Sequence, residues 1–277
     1  MTQLSGFALL LLATAFLVET EAVGRSEVSV RVVPVAQVIR IPLASLADEK
    51  TPPVTGGDSP VLSYYPGAAD ELPEGPDGFD AFDDGSLLIS DPLRDRVVAY
   101  DSQGKFRQSW NVGFAADSIE ILSDGPVMVR EAGTGLFHPF SREGKPMQDK
   151  VASAATSLEA QRLTPNSGSV TNGKGNQIPV RFNQPGRTLV SLENLAIDRS
   201  GQVYVALEST TGQATDSIDV AKTVRKYSAD GSLLCETANL PLDYFIPPVD
   251  ELRVHQGKVY QLMTTSKEVQ INVWNTN

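Results

Sequence analysis

Residues 78–110 read GFDAFDDGSLLISDPLRDRVVAYDSQGKFRQSW. Four short apolar or alternating runs, at 79–82, 87–89, 97–100 and 106–110, are separated by turn sequences. Asp83-Asp84-Gly85 and Ser102-Gln103-Gly104 supply two tight turns, with glycine taking positive φ without a Cβ penalty. The stretch from Asp91 to Asp95, with Pro92 inside it, makes a longer connection. Runs of this length joined by such turns specify a four-stranded antiparallel meander.

The pattern recurs along the chain. Gly85 and Gly104 are followed 40 residues later by Gly125 and Gly144, so both turns of the unit repeat with one offset. A third copy carries Gly201 and Gly231, its turns spread to 30 residues apart by an insertion at 209–220. A fourth, partial copy spans 250–274, with Gln256-Gly257 at its first turn. A period near 40 is that of a β-propeller blade. Tight repeats are therefore placed at 78–112, 118–150, 194–240 and 250–274, and a degenerate blade at about 153–192. In that blade 177–182 and 187–192 are strands, and 166–176 is a loop. The expected fold is all-β, a six-bladed propeller with five blades as the alternative. Residues 28–43 (VSVRVVPVAQVIRIPL) alternate like a strand and should pair with the C-terminal blade, closing the ring and covering a sheet edge.

Phe82-Asp83-Asp84-Gly85-Ser86-Leu87-Leu88-Ile89-Ser90-Asp91, then Arg96-Val97-Val98-Ala99-Tyr100-Asp101 and Gly104-Lys105-Phe106, resemble an NHL-type repeat. Residues 195–204 with 224–231 resemble it too, interrupted by the insertion. The resemblance covers roughly half the chain and implies a propeller. It implies no single activity, since propellers of this kind act as scaffolds and as enzymes.

Composition narrows the setting. Hydrophobic residues make up 41% and charged residues 21%, so the chain can bury a core. A net charge of -11 excludes electrostatic attraction to nucleic acid or an anionic membrane. Residues 7–18 (FALLLLATAFLV) form an uncharged apolar run too short to span a bilayer, followed by small residues at Thr20 and Ala22. Residues 1–22 thus read as a signal peptide, and 23–277 as one periplasmic or secreted domain with no integral membrane span after cleavage. An uncleaved anchor is the alternative, because no basic residue precedes the run. Cys235 stands alone, so no internal disulfide is available, and it reads as a small buried apolar residue.

No catalytic constellation is present. Two histidines, His138 and His255, are too few for a three-histidine zinc site. His138 is expected on a strand, packed or half-exposed, and His255 beside its glycine turn, facing solvent. In a meander blade the tight turns share one face and the longer connections the other, and irregular loops are the better binding surface. Arg94, Arg130, Glu131, Glu208 and Asp216 are the candidate ligand-binding residues there, for a protein, peptide or glycan. Asp80, Asn194 and Asp198 are candidates for a calcium site of a lactonase-like hydrolase, should inner strands bring them together. No other cofactor is expected. An envelope protein with a purely structural ring is the third reading.

Overall fold

The computed structural model describes residues 30–46, 59–68, 70–123, 125–147, 159–211, 218–246 and 248–277. Residues 1–22, expected from sequence to be a signal peptide, and Asp216 lie outside them. Apart from a 3-10 turn at Pro92–Arg94, every regular element among the described residues is a strand. Three come first: β1 (Arg31–Val33), β2 (Gln37–Ser45) and β3 (Leu62–Tyr64). The first sheet is the meander β4 (Phe79–Ala81), β5 (Leu87–Asp91), β6 (Arg96–Tyr100) and β7 (Phe106–Asn111). The second holds β8 (Ala116–Ile121), β9 (Val127–Glu131) and β10 (Phe137–Phe140). The third is β11 (Ala160–Thr164), β12 (Ser167–Thr171) and β13 (Gln177–Arg181). The fourth is β14 (Arg187–Ile197), β15 (Val203–Thr211), β16 (Val220–Tyr227) and β17 (Leu233–Thr237). The fifth contains β18 (Leu252–His255), β19 (Lys258–Thr264) and β20 (Glu268–Asn275).

The described residues thus form five small sheets. Two details of the degenerate region differ from the sequence expectation. Residues 167–171 are a strand, not a loop, and the turn is confined to Asn172–Asn176, whose first side chain accepts the Lys174 and Asn176 N–H groups. The run beginning at Arg187 belongs to the fourth sheet. Its backbone groups pair with β15 from Arg187↔Thr211 to Ile197↔Val203. The insertion at 209–220 is partly strand as well: it lengthens the β15–β16 hairpin, with Thr210 opposite Val220.

The sheets pack in the order second, first, fifth, fourth, third. Alternate residues of one strand therefore face different neighbours. Leu87 and Ile89 join Ile41, Leu262 and Ile271 between the first and fifth sheets, while Leu88 joins Ile119 and Val129 against the second. Val203, Val205 and Leu207 face the third sheet; Tyr204 and Ala206 face the fifth, where Cys235 and Trp274 are buried. Strands covered on both faces lose the apolar–polar alternation, which explains the continuous runs LLIS and VYVAL.

The N-terminal segment straps two sheets together. β2 pairs antiparallel with β20, Ile39 opposite Ile271, and supplies the fifth sheet's fourth strand; β3 adds to it in parallel. β1, split off by Pro34, pairs in parallel with β17 of the fourth sheet, a second contact the sequence pattern does not announce. The repeat period itself comes from one turn used again and again. Gly85, Gly104, Gly125, Gly144, Gly175, Gly201 and Gly231 all have positive φ and donate N–H to the carbonyl three residues back. At Gly104 the turn also packs so closely that an added Cβ would meet Ile39 at 2.6 Å.

Candidate functional site

The two ends of the strands differ. At one end the turns β4–β5, β8–β9, β14–β15 and β18–β19 converge on an open cavity of about 880 Å3. Its lining includes Asp83, Asp84, Ser123, Asp198, Gln202 and His255 together with Phe82, Ile121, Ile197 and Val254. The turns are internally tied. Asp84 Oδ1 accepts the Ser86 N–H (2.9 Å) and hydroxyl (2.5 Å), which hold the Asp84 carboxyl below the usual carboxylate range. Asp198 Oδ1 accepts the Ser200 N–H, the Ser200 hydroxyl and the Gln202 N–H.

Beneath the cavity, the buried Asp80 carboxylate joins three sheets. Oδ1 accepts the Ala81 N–H at 2.8 Å and lies 2.6 Å from His255 Nε2, and Oδ2 accepts the Ile121 N–H at 2.7 Å. His255 is thus fixed at the cavity wall, not turned to solvent as its place beside a glycine turn suggested. The sequence held no sign of this contact, because its partners are 175 residues apart.

At the other end, the start of β4, β8 and β18 brings Asp77, Asp117 and Asp250 close, with Arg130 on Asp117 (2.8 Å) and Arg253 on Asp250 (2.6 Å). The Ser90 hydroxyl lies 3.4 Å from the Asp77 carboxylate, and the Asp77 backbone also bonds it. Burial first, then the charges of Asp117 and Asp250, pushes its carboxyl from the ordinary 3.8 up to about 7. Glu120, on β8, is also raised, by burial against the opposing charge of Arg253. The folded state therefore keeps a proton on Asp77 that the unfolded chain releases, and stability from this group falls as pH rises from about 4 to 7. Asp77→Asn should melt about 3–6 °C above the wild type at pH 8 and coincide with it near pH 4, by thermal denaturation in matched buffers. A gain at pH 4 equal to that at pH 8 contradicts the assignment.

The same end carries the long connections, and they are pinned. Arg96 Nε donates to Asp91 Oδ2 (2.8 Å), and its Nη groups donate to Ser59 O (3.1 Å) and Val61 O (2.6 Å). Burial pushes the Asp91 carboxyl up, against the pull of Arg96. Arg187 donates to Ser209 O (2.9 Å) and Asp219 O (3.0 Å) and closes the β15–β16 hairpin. Tyr244 and Lys222 both bond Glu251, to which Gln261 also donates at 3.0 Å. The large apolar side chains left exposed on these connections are Leu72 (85%), Leu136, Ile218, Phe245 and Val249.

The residues singled out from sequence fall into separate contacts. Arg130 is held by Asp117, Glu131 lies 3.2 Å from His138, and Glu208 lies 3.7 Å from Lys222. His138 is half-exposed on β10, its ring 4.5 Å from that of Phe114. Arg94 sits in the 3-10 turn with Nε buried and without a hydrogen-bond partner. Asp80, Asn194 and Asp198 are likewise engaged apart: Asn194 Nδ2 donates to Thr171 O at 3.0 Å, and Asp198 serves its own turn. Among the described residues, no three His, Cys, Asp or Glu side chains gather as a metal cluster. Nor is any helix among them long and apolar enough to cross a membrane.

No family model matches the sequence, and no curated protein sequence matches it. Solved structures of similar outline include a streptogramin B lyase, at 10% identity over 72% of this chain and 93% of that one, with a TM-score of 0.33. Virginiamycin B lyase from Staphylococcus aureus gives 11% over 72% and 94%, with a TM-score of 0.32. Hsv2 from Kluyveromyces lactis gives 15% over 68% and 70%, with a TM-score of 0.31. None of these assigns an activity to this chain.

Proposed function

We propose that this chain is an exported β-propeller of the NHL kind that binds a protein partner through its loop-rich end. One observation carries the reading: connections from four places in the chain each present an exposed large apolar side chain at that end, namely Leu72, Leu136, Ile218 and Val249. Exposed apolar side chains that act together mark protein interaction surfaces, and these four share one end of the strands. Hydrogen bonds to Asp219 and Glu251 tie down the connections that carry Ile218 and Val249, which lowers the ordering entropy lost there on association. The charged residues Arg130 and Glu208 are already paired and act as supports, leaving the apolar tips to make the contact.

Site-specific photo-crosslinking in the producing cell tests this. A crosslinker at Leu72 or Ile218 should give one discrete adduct, and the same group at Ser123, on the opposite end, should not give it. Leu72→Asp with Val249→Asp should abolish the adduct formed from Ile218. Equal labelling from both ends removes the loop-rich end as the interface.

A further inference from the structure

We infer that the cavity at the tight-turn end is a binding site for a neutral oligosaccharide, separate from the protein-binding face. Its volume of about 880 Å3 falls in the range of small-ligand pockets, roughly 300–1,000 Å3. Four sheets contribute one turn each, so the wall is assembled from the whole fold rather than from one mobile loop.

The charge pattern favours an uncharged ligand. Among the described lining residues, the carboxylates Asp83, Asp84 and Asp198 stand with the guanidinium groups Arg142 and Arg199, so the cavity presents both signs of charge on a chain whose net charge is -11. An anion or cation entering it meets attraction and repulsion together. Polyols face no such conflict, because each hydroxyl both donates and accepts. Gln202, Gln256 and Asn277 add side-chain amides, which offer a donor and an acceptor side by side. Carboxylates and guanidinium groups can each span two adjacent hydroxyls in the same way.

The lining also offers apolar surface. Pyranose rings are apolar on their C–H faces and polar at their edges. Here Phe82, Ile121, Ile197 and Val254 line the cavity together with the polar groups. Arg142 sits over Phe82, its guanidinium carbon 4.1 Å from the ring centroid, and both residues line the cavity. The groups are also fixed in place. Asp80 holds His255, Asn277 donates to Gln256 O at 2.9 Å, and Asp84 and Asp198 are tied within their own turns. These polar groups are dispersed side chains, unlike the continuous row of main-chain groups that a peptide strand would need.

Calorimetric titration of the protein with maltotriose, cellotriose and chitotriose tests the assignment, with trigalacturonic acid as the charged control. At least one neutral trisaccharide should bind with a Kd between about 10 μM and 1 mM, and the control at least tenfold more weakly. Ser123→Trp, an exposed turn position at the cavity mouth, should weaken that binding at least tenfold with the melting temperature unchanged. Gln202→Ala should weaken it less, and Leu72→Asp on the far end should leave it unaltered. Absence of heat and of any melting shift with all three neutral sugars overturns the proposal. So does equal or tighter binding of the charged control, or binding that Ser123→Trp leaves intact. Loss of the protein-partner adduct with sugar binding retained would instead fault only the loop-end reading.

Discussion

Arg96→Ala is expected to lower the melting temperature by about 10 °C, corresponding to about 3–5 kcal/mol for breaking a buried ion pair. Arg96 and Asp91 are both almost fully buried, with side chains 3% and 0% exposed. Truncating the arginine leaves Asp91 without its counter-charge and leaves Ser59 O and Val61 O without donors. The Asp91 carboxyl is already raised by burial, and losing Arg96 raises it further. The defect should therefore shrink as pH falls and Asp91 takes up a proton. Replacing both partners, Asp91→Leu with Arg96→Met, should recover much of the loss, since no isolated charge then remains. Chemical denaturation of the three proteins at pH 8 and pH 5 checks this. A single variant within about 1 °C of the wild type would show that the pair is not what holds residues 59–63 to the first sheet.

Removal of residues 1–46 has a larger expected effect: no cooperative thermal transition. The deletion takes away β1 and β2, and with them the buried Ile39 and Ile41 from the core shared by the first and fifth sheets. It also uncovers the edges of β17 and β20, open templates for association. Near-UV circular dichroism should be lost and a hydrophobic dye should bind. A synthetic peptide of residues 30–46, added in trans, should restore the signal by re-forming the β2–β20 pairing. A sharply melting truncated protein would show that the strap is dispensable.

Local chemistry was legible in the sequence, and convergence was not. Glycine turns and runs such as LLIS are local signals, and they locate β5 and its turns within a residue or two. Residues 28–43 were expected on the C-terminal blade, since an alternating strand with no neighbour must find an edge, and the part at 37–42 does pair with β20. The parallel seat of β1 on β17 was hidden, because a three-residue strand carries no periodicity. The third sheet was misread at 167–171 because Ser, Gly and Thr there suggest a loop, while Gly168 is needed for its close approach to Gln161 O. The joint at Asp80 depends on Ile121 and His255 arriving from distant strands, and no spacing rule encodes that. The charged candidates were chosen by their place on the loop-rich end; their pairing, Arg130 with Asp117 and Glu208 with Lys222, depends on partners that sequence spacing does not reveal.

The strap also sets a timetable. A ribosome delivers Ile39 early, yet Ile271, its neighbour across the strand pair, emerges 232 residues later. Until Glu268–Asn275 has left the exit tunnel, β2 has no seat and its isoleucines stay uncovered. At about 5–20 residues per second, that wait lasts on the order of 10–50 seconds. Chains released early are left unsealed, so the molecule's own architecture discriminates between finished and unfinished products.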